Sequence, residues 1–249
     1  MAREMVAIIP ARYKSSRLPG KLLLNIEGKS ILQRVYERAL QCPSIDHVFI
    51  ATDSELIFKH ATDFGAECFL SNRIHESGTD RIAELAETIT DAKYIINIQG
   101  DEPFIDPEHI EILCKSIRSS GSDIATLAVC NKGLDGINNP NSVKVVINLN
   151  NQALYFSRAE IPFLRDKNSD FTSFEWLKHI GIYAFRKKAL LQVSKLEPTD
   201  LEHIEKLEQL RWLQNNYSVQ VAIVDKHSIG IDTEQDYLNA IEFAKQNRL

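Results

Sequence analysis

The chain has 249 residues, 44% of them hydrophobic and 25% charged, with a formal charge of −5 and a pI near 5.8. That length buries one large core or two small ones, and the acidic balance argues against a general affinity for nucleic acid while allowing a local basic pocket. Its longest apolar runs are strand-sized, which gives no bilayer span, and the first of them ends at Pro10 with basic residues following, so no signal peptide is expected. Val6 to Ile9 is a continuous apolar run, as in a parallel strand covered on both faces. Ser30 to Leu40 reads as a helix with Ile31, Leu32, Val35, Tyr36 and Ala39 in one stripe. A strand at His47–Ala51, a helix over Ser54–Phe64 ended by Gly65, and a short strand at Glu67–Leu70 follow. Gly78–Thr90 is helical and Tyr94–Ile98 is the next strand. Strands alternating with helices predict an α/β fold with a doubly wound, mostly parallel sheet.

The second half is less regular. Ser142–Leu149 and Gln152–Phe156 read as a hairpin turned at Asn150-Asn151, and His179–Phe185 as a strand. Leu201–Gln214 is expected to be one helix with Leu201, Ile204, Leu207, Leu210 and Leu213 buried. Val219–Val224 is a strand and Thr233–Lys245 a closing helix, while the polar stretch Leu164–Ser173 is expected to be a mobile loop. With no interdomain linker, residues 1–249 read as a single domain carrying a mixed-sheet elaboration. Cys42, Cys68, Cys114 and Cys130 show no CxxC pair or metal-ligand spacing, which predicts free, mostly buried thiols in a reducing cytoplasm.

Three segments carry candidate chemistry. Arg12, Lys14, Arg17 and Lys21 fall in the loop after the first strand, with no acid between Met5 and Ile26. Ligands of a doubly wound sheet bind at the carboxyl ends of strands, and cations crowded there suit a triphosphate. Composition alone leaves a solvated basic loop open. No GxGxxG occurs, and Gly28-Lys29-Ser30 lacks the upstream glycine of a P-loop. Asn97-Ile98-Gln99-Gly100-Asp101 follows a buried strand, and Gly230-Ile231-Asp232 precedes the last helix. Both acids suit magnesium, which takes carboxylates and substrate phosphates; a turn role for Asp101 and an N-cap role for Asp232 stay open. His75 to Arg81 lies between a strand and a helix, where Ser77 or Thr79 is equally a helix cap. His179, Gly181, Tyr183 and Phe185 alternate onto one strand face, with Ile180, Ile182 and Ala184 turned to the core. Glu202 and Lys206 read as an ordinary i,i+4 pair on a solvated helix face.

Ile8-Ile9-Pro10-Ala11-Arg12 with Arg17-Leu18-Pro19-Gly20-Lys21 resembles the opening signature of the sugar cytidylyltransferases, although Leu22 stands where that family commonly has proline. The segments Gln99-Gly100-Asp101-Glu102-Pro103, His75 to Arg81, Ser157-Arg158-Ala159 with Ile161-Pro162, His179 to Phe185, and Leu207 to Arg211 resemble its Kdo-specific branch, the CMP-Kdo synthetases. Ile231 to Asp236 is similar to a further segment of that branch, with Glu234 and Gln235 departing from it. The resemblance implies a nucleotidyltransferase-type sheet with an acceptor-binding and dimerising elaboration, and transfer of CMP from CTP to an acidic eight-carbon sugar for lipopolysaccharide biosynthesis. It implies that Arg12, Arg17 and Lys21 hold the CTP phosphates, that Pro10 and Ala11 contact the nucleotide, and that Asp101 and Asp232 bind Mg2+. His75, Ser77, Gly78 and Arg81 then contact the nucleotide, and Gln99 lies beside nucleotide or sugar. Arg158, His179, Tyr183, Glu208 and Gln209 become the acceptor contacts. A homodimer is implied, with the Ala153–Tyr183 region and the helix from Leu201 as its interface; neither nucleic acid nor a membrane is an expected partner. An 8-amino analogue of the sugar, or a sialic-type acid, is the alternative substrate; the amino-sugar branch is associated with glutamine where this chain has Glu102. A non-catalytic nucleotide-sugar binding module would require a missing carboxylate or a broken phosphate loop, and neither is seen.

Overall fold

Met5 to Ile9 are all fully buried, as their unbroken apolar run requires, and this strand lies at the centre of a parallel sheet. The computed structural model describes residues 4–14, 18–75, 77–165, 174–226, 229–247 and 249. In chain order the elements are β1 (Met5–Ala11), a 3-10 turn (Lys21–Leu23), β2 (Asn25–Ile26), β3 (Lys29–Ser30), α1 (Ile31–Leu40), β4 (His47–Thr52), α2 (Glu55–Asp63), β5 (Glu67–Leu70), α3 (Gly78–Thr88) and β6 (Tyr94–Asn97). There follow α4 (Pro107–Ser120), β7 (Ile124–Lys132), β8 (Lys144–Ile147), β9 (Ala153–Ser157), β10 (Glu175–Arg186), α5 (Lys187–Val193), α6 (Asp200–Glu205), α7 (Gln209–Gln214), β11 (Val219–Val224) and α8 (Glu234–Asn247). The chain divides into two compact units, residues 1–114 with 228–249, and residues 115–227.

In the first unit β1 pairs in parallel with both β4 and β6, and β4 with β5, giving the order β6-β1-β4-β5. Helices α1 and α2 start where serines cap them: Ser30 accepts from the Gln33 N–H and Ser54 from that of Ile57. The expected stripe of α1 is buried throughout, each apolar side chain contributing about 1.5–3 kcal/mol relative to exposure. Gly65, at φ 84°, follows the end of α2 in the left-handed conformation expected of it.

The second unit carries the mixed sheet. β11 runs parallel to β7, β7 antiparallel to β10, and β10 antiparallel to β8, which forms the hairpin with β9. Asn151, at φ 57°, turns that hairpin, and the Asn148 carboxamide oxygen accepts from the N–H groups of Asn150 and Gln152. Three expectations need correction here. The helix expected over Leu201–Gln214 is two, α6 and α7, broken at Lys206 with φ 54°. Leu207 and Leu210 are buried, but Ile204 is 76% exposed and α6 buries no residue. Glu202 forks onto Arg211 at 2.6 and 2.7 Å, an ion pair closing the two helices on each other, in place of the expected pair with Lys206. Elements α4, β7 and α5 lie where the periodicity had suggested none.

None of the four cysteines is in a disulfide; Cys42 and Cys114 are buried, Cys68 and Cys130 half-buried. Of the stretch expected to be a mobile loop, residues 166–173 lie outside the described residues. No helix among the described residues is long and apolar enough to cross a membrane.

Candidate active site

Two strand ends and a 3-10 turn converge in the first unit. Gly20, at φ 68°, adopts the left-handed conformation that opens the turn, and its N–H returns to the Tyr13 carbonyl at 3.1 Å. The loop from β1 thereby delivers Lys21 back over the sheet. After β6 the Ile98 N–H continues the pairing to the Ile8 carbonyl, and Gly100 passes the end of β1 so closely that a Cβ there would meet the Pro10 carbonyl oxygen at 3.1 Å. A side chain at position 100 would push the strand end or the Asp101 turn back by a few tenths of an ångström. The Asp101 carbonyl in turn accepts the Ile231 N–H at 2.9 Å, tying in the segment that leads to α8.

The Lys21 ammonium is where these pieces meet. It donates to Asp101 Oδ2 at 2.6 Å, to Asp232 Oδ1 at 3.0 Å and to the Ile231 carbonyl at 2.9 Å, which accounts for all three of its protons. Burial by itself would lower the Lys21 pKa, but the attraction and hydrogen bonds of Asp101 and then Asp232 outweigh it, and the net shift is upward. The N-cap role left open for Asp232 belongs to its neighbour. Thr233 Oγ1 accepts the Asp236 N–H, and the Asp236 carboxylate accepts the N–H groups of Asp232 and Thr233. The Asp232 carboxylate is the one that accepts from the Lys21 ammonium.

Two carboxylates and a carbonyl converging on one positive charge form an all-oxygen donor set, which fits a hard divalent cation. Among the described residues no group of three or more His, Cys, Asp or Glu is placed to hold a metal. Magnesium bound here would therefore take Asp101 and Asp232, with phosphate and water completing its shell. Arg12 is exposed at the loop surface. Arg17 lies outside the described residues.

The start of α3 packs on the same strand end, a Cβ at Gly78 lying 3.5 Å from the Pro10 ring. Ser77 forms a capping box with Asp80, so its hydroxyl is engaged with the helix. Arg81 is 3% exposed and donates to Asp53 at 2.7 Å, while its Nε is buried with no protein partner. His75 Nε2 lies 3.0 Å from Glu84, and its Nδ1 is likewise buried and unpartnered. A buried polar group left unsatisfied costs about 1–3 kcal/mol, so two of them in one motif point to a polar ligand. Asp53 was missed in the sequence. Its signal, an acid just past the carboxyl end of a parallel strand, is the one that singled out Asp101.

In the second unit Arg158 is held at every nitrogen: Nε on the Glu205 carbonyl at 2.8 Å, one terminal nitrogen on Pro140 at 2.9 Å and the other on Lys206 at 3.4 Å. The Glu205 carboxylate grips the same segment through Ser157 Oγ and the Arg158 N–H, and the fully buried Lys144 donates to the Arg158 carbonyl at 2.6 Å. Lys144 and Glu205 were also unread, because neither sits in a motif. His179, Tyr183 and Phe185 do stack along one side of β10, with ring centroids 5.4 and 6.0 Å apart in succession. That side is no open face: Tyr183 and Phe185 are buried, Trp212 closing on both edge-to-face. A Cβ at Gly181 would meet nothing within 4 Å, which leaves room there. Burial lowers the His179 pKa to about 3. Burial and then the charge of Glu208 push the Tyr183 phenol well above its ordinary value, which places Glu208 near it. Gln209 is buried beside Glu208 on α7, and Gln99 is half-buried in the turn before Asp101.

A parallel α/β sheet with a basic loop after its first strand and acids at strand ends is the architecture of a nucleotidyltransferase. Among solved structures, CMP:2-keto-3-deoxy-manno-octonic acid synthetase complexed with CTP superposes with a TM-score of 0.92 at 38% identity, covering 98% of this chain and 99% of that one. The 3-deoxy-manno-octulosonate cytidylyltransferase of Geotalea daltonii is 44% identical over 97% of this chain and 98% of its own. That of Cytophaga hutchinsonii is 43% identical over 94% and 95%. The family model described as Cytidylyltransferase matches residues 6–223, and the chain belongs to that family.

Proposed function

We propose that this chain transfers CMP from CTP to the anomeric hydroxyl of 3-deoxy-manno-octulosonate and releases pyrophosphate, as a 3-deoxy-manno-octulosonate cytidylyltransferase. The observation that carries the reading is the Lys21 ammonium held between Asp101 and Asp232 at the carboxyl ends of β1 and β6, in a chain so similar to enzymes of that name. The sugar hydroxyl attacks the α-phosphorus in line, a C–O–P bond forms, the bond from that phosphorus to the bridging oxygen of pyrophosphate breaks, and the hydroxyl proton passes to water. Lys21, with Arg12 and Arg17 from the loop, neutralises charge growing on the leaving pyrophosphate. To do so Lys21 exchanges carboxylate partners for phosphate oxygens, a short swing for a side chain already at the strand ends. A magnesium ion on Asp101 and Asp232 supplies, when bound, the positive charge that lets two anionic substrates approach. His75 Nδ1 and Arg81 Nε, buried and unpartnered, are the polar groups offered to cytosine and ribose.

In the second unit His179, Tyr183, Glu208 and Gln209 hold the sugar's hydroxyls; in the first, Gln99 contacts nucleotide or sugar. Arg158, locked on three carbonyls, offers its fixed positive charge to the sugar carboxylate. A cytoplasmic homodimer completes the reading. The apolar residues Leu149, Leu154, Ile204 and Ile223, all exposed on the second unit, support that contact. The product serves lipopolysaccharide biosynthesis. Pyrophosphate release measured over CTP, ATP and GTP with a panel of acid sugars tests the assignment. Turnover with CTP and 3-deoxy-manno-octulosonate far above every other pair is expected; equal rates with ATP refute the cytidylyl reading.

A further inference from the structure

Thr126 lies fully buried on β7, opposite Tyr183, where β10 shifts register between Ile180 and Tyr183. Its hydroxyl has three polar neighbours: the carbonyl oxygens of Ile180 at 3.1 Å and Ile182 at 2.8 Å, and Nε2 of His179 at 3.0 Å. A hydroxyl owns one proton and accepts through its lone pairs, whereas a carbonyl oxygen only accepts. Two carbonyls compete for the one Thr126 proton, the nearer at 2.8 Å, and with the proton on either of them the contact to the imidazole has Nε2 as its donor. A neutral imidazole carries one N–H, so Nδ1 is left as a bare acceptor.

We propose that Thr126 is a positioning residue that fixes His179 in its Nε2–H tautomer, so that Nδ1 accepts a hydrogen bond from a hydroxyl of the acceptor sugar and takes no part in binding its carboxylate. The aromatic surroundings agree: Phe156 meets the His179 ring edge-on at 5.0 Å and Tyr183 flanks it at 5.4 Å, while the charge of Glu208 acts on Tyr183. Burial keeps the imidazole neutral far below physiological pH, so His179 offers no positive charge to an acid group. The inference deepens the acceptor-site reading of His179 and rests on it only for the identity of the ligand.

The test is nitrogen-15 NMR of the full chain labelled at histidine, with His179→Gln assigning the signal. In the wild type Nε2 should show the protonated shift and Nδ1 the bare one, unchanged between about pH 5 and 8. Thr126→Val keeps the shape but removes the hydroxyl; it should alter the His179 tautomer and raise KM for 3-deoxy-manno-octulosonate about three- to tenfold, the scale of one neutral hydrogen bond. KM for CTP should not move, and Thr126→Ser should restore both the tautomer and the sugar KM. An Nδ1–H or doubly protonated His179 in the wild type overturns the proposal even if the valine variant fails to fold. An unaltered tautomer in a folded Thr126→Val overturns the positioning role. A tautomer that changes while neither Thr126→Val nor His179→Gln affects the sugar KM overturns the hydroxyl contact, and with it the acceptor-site reading of His179, even though CTP-dependent turnover stands.

Discussion

Replacing Asp232 by asparagine separates metal binding from helix capping, because the structure assigns the cap to Thr233 and Asp236. The substitution leaves those bonds untouched and removes one charge 3.0 Å from the Lys21 ammonium. The Asp232 side chain is 51% exposed, and an ion pair that open to water is worth at most about 1 kcal/mol. For a chain of this length about 1 kcal/mol moves Tm by about 2–4 °C, so the variant should melt within that interval of wild type. Turnover should fall about 100-fold or more, the scale seen when one preorganised electrostatic group is lost, and should recover in part as magnesium is raised. Asp101→Asn should behave alike, and on the proposed reading that both acids hold one cation the double variant should lose far less than the product of the two single losses. The assay is pyrophosphate release against magnesium concentration, with calorimetry on each variant. Full activity of Asp232→Asn at ordinary magnesium would refute the ligand role; a large fall in Tm would show that the carboxylate serves the fold instead.

Lys21→Ala should lower kcat/KM by about 2–4 kcal/mol in transition-state terms with little loss of Tm; a folded variant with unchanged kcat/KM contradicts the phosphate role. The raised Lys21 pKa implies stability that is complete below the ordinary lysine value of 10.5 and lost as pH climbs through the folded value above it, an increment that urea titrations of Lys21→Met should lack. Tyr183→Phe retains the ring packing against Trp212, so it should raise KM for the sugar and leave CTP affinity and Tm nearly unchanged; a collapse of CTP affinity would mean the half-sites are assigned wrongly. Glu202 has its pKa lowered: burial alone would raise it, but the hydrogen bonds and charge of Arg211 prevail. Its contribution is present above the ordinary value of 4.5 and disappears as pH falls through the folded value below that, so Glu202→Gln should flatten the acid limb of the urea-midpoint profile, and an unchanged limb would discard the pair as a source of acid sensitivity.

Local pattern alone determined the parallel sheet of the first unit, because a strand buried on both faces is nearly apolar along its length, as Val6–Ile9 is throughout and Tyr94–Ile98 is except at Asn97. It placed the starts of α1 and α2 at Ser30 and Ser54, the end of α2 at Gly65 and a cap of α3 at Ser77 or Thr79, because these residues act on backbone groups within a few residues. The basic loop and Asp101 were legible too, as charges next to strand ends, and Asp232 as an acid before the last helix. What the pattern lacked was anything set by residues distant in the chain. The leucine spacing from Leu201 onward fits one continuous helix. The break at Lys206, a left-handed residue costing about 1–2 kcal/mol, forms because Glu205 and the carbonyls beside it are taken by Ser157 and Arg158 from another strand. Asp232 looks like a cap in sequence, and only the fold turns its carboxylate to Lys21, 211 positions away. The tautomer of His179 is decided by a threonine on the neighbouring strand. Hydrophobic period and capping are properties of a segment, whereas the direction of a charge and the ownership of a proton depend on which segments the folded chain brings together.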